Sequence, residues 1–120
     1  MSSLPSTLDE CIAYWIDSLS NAQLESLRGL SEADFNDRFH HFTVGMSMRN
    51  GWKLWDELSP LHKWFAERGI YHADDMSGII FTSLYRAMNS KPIGFSEQVK
   101  YYRDYWVENK IDPDTMEELK

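Results

Sequence analysis

The stretch DDMSGIIFTSLYRAMN, residues 74–89, decides the fold. Met76, Ile79, Ile80, Ser83, Leu84 and Ala87 recur at alternating steps of three and one. That spacing gathers them on one side of an α-helix and would scatter them over both faces of a strand. Asp74 or its neighbour is the expected N-cap and Asn89 the end. Downstream, Lys91-Pro92-Ile93-Gly94 reads as a loop. A last helix from about Phe95 to Asn109 then turns Phe95, Val99, Tyr102, Tyr105 and Trp106 inward, before Asp112-Pro113 opens an acidic tail. Upstream, Ser59-Pro60 starts a helix with Leu61, Trp64 and Phe65 on its buried face and Gly69 at its end. Before it, Trp52, Leu54, Trp55 and Leu58 form a compact apolar segment that reads as a turn or short helix rather than a strand. A helix opening at Ser31 carries the stripe Phe35, Phe39, Phe42, Met46 and Arg49. Gly45 inside it marks a close approach or a kink, and Gly51 marks its stop. Thr7 with Glu10, and Ser20 with Gln23, have capping-box spacing. The first pair opens a helix bearing Leu8, Cys11, Ile12, Trp15, Ile16 and Leu19. The second opens a short one bearing Leu24 and Leu27, which Gly29 closes. No segment alternates with period two, so the expected architecture is all-α: a single compact, irregular bundle of about six helices spanning residues 1–120, with the acidic tail from about residue 112.

Hydrophobic residues make up 42% and aromatic residues 14% of the chain, enough to bury a core. Nineteen acids against twelve Lys and Arg give a net charge of −7, which argues against a general binder of nucleic acid or anionic lipid. The one cysteine, Cys11, excludes an internal disulfide and a Cys-based zinc site, and on an apolar stripe it reads as an inert buried thiol. No basic segment followed by an apolar one opens the chain, and no apolar run approaches ~18 residues. A cytoplasmic protein with no membrane contact is therefore expected. The charge is unevenly spread: residues 1–37 hold seven acids and one base, Arg28. Such a front end can steer a basic partner, although acids near helix N-termini also complement the helix dipole.

The segments Gly45-Met46-Ser47-Met48-Arg49-Asn50, Trp52-Lys53-Leu54-Trp55, Ser59-Pro60-Leu61 and Gly69-Ile70-Tyr71-His72-Ala73-Asp74-Asp75-Met76-Ser77-Gly78-Ile79-Ile80 resemble a family of small uncharacterised bacterial proteins, a domain of unknown function. The resemblance runs from Phe39 to about Trp106 and leaves the acidic segment before Phe39 outside it. It implies a compact helical fold and no particular activity, cofactor or catalytic residue. By analogy of kind, such proteins occur as accessory or immunity-like partners beside toxins.

Two constellations carry chemistry. His72, Asp74 and Asp75 put an imidazole and two carboxylates at a helix start, where they serve as a cap, an acid/base pair or a cation site. Arg49 and Asn50, with Trp52 and Trp55, suit a carboxylate or phosphate, unless Arg49 caps carbonyls or pairs with Asp56 while both indoles fill the core. An inward Arg49 requires a buried partner, which Asp74 or Asp75 can provide. Ser77-Gly78 lets another element approach closely. His40, His41 and His62 lack zinc-motif spacing, and neither a phosphate loop nor a nucleophile elbow is present.

The leading expectation is a non-enzymatic acidic module, of the immunity-protein or inhibitor type, that blocks a basic site on a partner protein such as a toxin or other enzyme. Its contact residues would be Asp9, Asp17, Glu25, Glu32, Asp34 and Asp37, with Tyr101 exposed on the last helix beside Arg103. No cofactor and no metal are expected. The alternative is a small-ligand-binding protein or enzyme with a polar site around Arg49, Asn50, Trp52, His72, Asp74 and Asp75.

Overall fold

A computed structural model of the chain describes residues 4–40 and 48–118. Readings placed on the side chains of Phe39 and His40, and on His41, Phe42, Gly45 and Met46, lie outside the described residues. Among the described residues six named helices follow one another: α1 (Leu8–Ser18), α2 (Asn21–Arg28), α3 (Glu32–His40), α4 (Pro60–Ala66), α5 (Ala73–Met88) and α6 (Phe95–Glu108). A short helical turn covers residues 48–51. Among the described residues there is no strand, only an isolated antiparallel bridge between Ile111 and Glu118. The fold is an all-α bundle.

The helix starts are written in hydroxyls. Ser20 Oγ accepts the Gln23 N–H at 3.1 Å and the Gln23 side chain accepts the Ser20 N–H at 2.8 Å, a complete capping box. Thr7 Oγ1 accepts the Glu10 N–H at 3.2 Å, but the Glu10 carboxylate takes the N–H of Ser6 instead of Thr7, so only half of the expected box forms. Ser31 and Ser59 cap α3 and α4 in the same way, each accepting an N–H at 3.1 Å. Such caps contribute about 1 kcal/mol each. Gly29 does close α2, in an ordinary right-handed conformation with φ −74°.

Helix α5 is the axis, and α1, α2, α3 and α6 all pack against it. Its spacing predicts one buried side, yet Ser77, Phe81, Thr82 and Tyr85 are buried as well. A helix enclosed by neighbours has no face left for solvent, and its polar residues persist because each finds a partner. Ser77 Oγ donates to the Asp74 carbonyl at 3.0 Å, Thr82 Oγ1 accepts from Asn36 Nδ2 at 3.1 Å, and Ser83 Oγ accepts from Gln98 Nε2 at 3.1 Å. Gly78 makes the close approach that its small size suggests: a methyl group there would run into the Tyr102 hydroxyl of α6.

The core is one apolar cluster fed by every helix. Phe35, Phe65 and Phe81 are fully buried within it, each worth about 1.5–3 kcal/mol in transfer terms. Trp52 is buried too, its ring 5.2 Å from Tyr14 and 6.1 Å from Trp15. Several expected core positions are not core. On α1 Ile16 is exposed, although Trp15 and Leu19 on either side of it pack partly buried against the core. Lys53 adopts φ 57°, and the chain that follows carries Trp55 and Leu58 outward, the latter 77% exposed. Trp64 is half-buried under the Arg68 guanidinium, 4.0 Å from its ring centre. Helix α6 lies at the edge of α5, so only a narrow stripe of it, Phe95, Gln98, Val99, Tyr102 and Trp106, reaches inward. Tyr105, about 100° round from Trp106, is exposed rather than buried.

The acidic tail folds back. Asp112 N–H donates to the Glu117 carbonyl at 2.8 Å, and Asp114 pairs with Arg103 of α6 at 2.9 Å. Arg103 also donates to the Gly69 carbonyl at 2.9 Å, just where Gly69 turns the chain with φ 93°. Arg86 likewise donates to the Ile93 carbonyl at 2.6 Å and to both carboxylate oxygens of Glu32. Among the described residues no helix is long and apolar enough to cross a membrane.

Candidate functional site

The start of α5 is where chemistry collects. His72 is the N-cap: its Nδ1 accepts the Asp74 N–H at 3.1 Å. The expected cap, Asp74, sits in the first turn instead. The same Nδ1 lies 3.9 Å from Asp74 Oδ2.

Arg49 reaches this turn from the helical segment before it. Its Nε lies 3.4 Å from Asp74 Oδ1 and its Nη1 donates to Ser77 Oγ at 3.2 Å. The guanidinium is thus held by an Asp of α5, the partner its inward position calls for, and not by Asp56. Asp75 is only 7% exposed. One of its oxygens accepts the Trp106 indole N–H at 2.7 Å. Burial pushes the Asp75 carboxyl above its usual 3.8, while the Trp106 bond and nearby His72 pull it down and Asp74 pushes it up.

Three carboxyl and imidazole side chains from the start of α5 therefore face four rings of α6 across a cleft of about 270 Å³. His72, Asp74 and Asp75 form one wall and Tyr101, Tyr102, Tyr105 and Trp106 the other. The His72 and Trp106 rings lie 5.6 Å apart, and the edge of Trp55 meets His72 at 5.5 Å. Burial, with the Asp75 charge and Tyr101 adding to it, lifts the Tyr102 phenol to about 12. Behind His72, a second hollow of about 340 Å³ is closed by Asp114, Thr115 and Met116 of the folded tail.

The sequence pointed to His72, Asp74 and Asp75, and the fold brings them together. Arg49 stands one step behind them, engaged through Asp74; Trp52 is in the core and Asn50 is at the surface, so neither lines the cleft. Of the α6 wall, Tyr101 was expected only as a partner contact, and the rest was missed because Tyr102, Tyr105 and Trp106 were assigned to the core. The signal was present: a largely covered indole needs an acceptor for its N–H, and α5 offers a carboxylate for it.

Of the acids expected to meet a partner, Asp9, Asp17, Glu25, Asp34 and Asp37 are exposed. Glu32 is not available in the same sense, because Arg86 holds it at 3.1 Å. Tyr101 is 67% exposed. Cys11 is buried, and burial raises its thiol far above the usual range, so it is unreactive. His62 Nδ1 meets the Leu54 carbonyl at 2.7 Å, a satisfied core histidine. Among the described residues no three His, Cys, Asp or Glu side chains gather as a metal site.

No curated protein and no solved structure matches the chain. A family model does, over residues 4–88. The match takes in the acidic helices α1–α3, which the resemblance read from the sequence left outside, and it stops at the end of α5, before the ring-bearing wall of the cleft. The chain belongs to the family described as a domain of unknown function, DUF6794.

Proposed function

We propose that the protein is a non-enzymatic acidic binding module of the bacterial cytoplasm that covers a basic site on a partner protein, as an immunity protein or inhibitor covers a toxin or other enzyme. The observation behind this reading is the direction in which the charges face. Asp9, Asp17, Glu25, Asp34 and Asp37 stand exposed on α1–α3, whereas Arg86 and Arg103 are spent on carbonyls and carboxylates of the chain itself. The outward face of the first three helices thus carries more acids than bases, which accelerates encounter with a basic surface.

The test is the association rate with a partner recovered from the native host. It should fall by about tenfold or more between low and high salt, and again when Asp34 and Asp37 are both changed to Lys. An on-rate indifferent to both would remove the proposal. A second reading, a small-ligand-binding protein or enzyme acting at His72, Asp74 and Asp75, is favoured by the cleft itself. It requires a metabolite that raises the melting temperature of the chain alone.

A further inference from the structure

The cleft between the start of α5 and α6 joins two features that recognise one kind of group. Tyr101 and Tyr105 are exposed, and with Trp106 they offer aromatic faces and edges over a water-accessible hollow. The opposite wall ends in Asp75. Asp74 has its counter-cation in Arg49, but the ion pairs among the described residues leave Asp75 without one. Trp106 satisfies one Asp75 oxygen; the other takes no hydrogen bond from the described residues and is not sealed from solvent. A positive helix N-terminus favours this carboxylate, yet it amounts to only about half a charge and is shared with Asp74. A nearly buried acid facing a ring-lined hollow lacks a cation, and aromatic rings bind organic cations in preference to hydrated metal ions.

We propose that this cleft binds the cationic head of a basic side chain, an alkylammonium or guanidinium group, with Asp75 as the charge partner and Tyr101, Tyr105 and Trp106 as the walls. The occupant is a Lys or Arg projecting from the protein partner. In this respect the inference rests on the reading of the chain as a binder of basic surfaces, and it names the pocket into which that surface inserts. Burial that keeps Asp75 reluctant to ionise is relieved when a cation arrives, so the site holds an unfavourable charge in reserve for its ligand.

The experiment uses the whole chain and small probes. Butylammonium and butylguanidinium are titrated against the protein at constant ionic strength, with 1-butanol and sodium chloride as controls, while the Trp106 indole N–H resonance is followed by NMR. The expected result is a saturable shift of that resonance for one or both cations, with a midpoint on the order of millimolar, and none for the controls. Asp75→Asn, which retains an oxygen for the Trp106 N–H, should weaken binding by about tenfold or more. Tyr105→Leu, at an exposed position, should weaken it severalfold without loss of fold. An equal response to 1-butanol, an unmoved Trp106 resonance, or undiminished binding in Asp75→Asn would overturn the assignment. Charge reversal of Asp34 and Asp37 should leave this titration unchanged. Failure of the cleft and failure of the acidic-face reading are therefore separate outcomes.

Discussion

Asp75 shows how much one carboxyl can decide. Its pKa is raised in the fold above the 3.8 of an unperturbed aspartate, so the folded chain holds that proton more tightly than the unfolded chain does. The stability this contributes is fully present below about pH 4 and is lost as pH rises through the folded value. His72 and Asp74 beside it, and Tyr101 and Tyr102 across the cleft, are common to the wild type and an Asp75→Asn variant, so the difference between the two isolates Asp75. Urea denaturation across pH 4–7 should show the wild type losing stability relative to the variant, and at pH 7 the variant should be at least as stable. Gly78 is the second decisive residue. Gly78→Ala drives a methyl into the Tyr102 hydroxyl and should cost about 1–3 kcal/mol. Adding Tyr102→Phe removes the obstructing oxygen and should recover most of the loss, a non-additivity that a double-mutant cycle measures.

Among the helices, legibility followed chemistry that acts locally. Ser20, Gln23, Ser31, Ser59 and Pro60 announce helix starts through bonds made within a few residues, and each start was readable. Ser20→Ala should lower the thermal midpoint by a few degrees, corresponding to about 1 kcal/mol. What could not be read was the setting of each helix. Periodicity marks an apolar side, but it does not say whether the other sides meet solvent or neighbours. So α5, with Thr82 and Ser83 among its apolar residues, looked amphipathic and is enclosed, while α6, with five rings between Phe95 and Trp106, looked like core and lies at an edge. The candidate site divides along the same line. His72, Asp74 and Asp75 are adjacent in sequence and were singled out together. The ring wall is about thirty residues away and depends on the tertiary contact of Trp106 with Asp75, |i−j| = 31, which no local pattern encodes.

In the whole molecule, long-range polar contacts are made largely by arginine. Arg28 reaches the Met88 carbonyl at 2.9 Å across sixty residues, Arg86 ties α3 to the loop after α5, and Arg103 ties α6 to the Gly69 turn and to the tail. Arg86→Lys should destabilise the chain measurably despite keeping the charge, because an ammonium cannot span Glu32 and the Ile93 carbonyl with a planar fork. Chemical denaturation of that variant against Arg86→Met would separate lost geometry from lost charge. The family match that ends at residue 88 cuts through the cleft: the acids stand on the shared scaffold and the rings on the helix appended to it. The two walls of the hollow are thus encoded by separate stretches of the chain, carboxylates inside the matched region and rings beyond it, so that one wall is open to substitution while the other stays as it is.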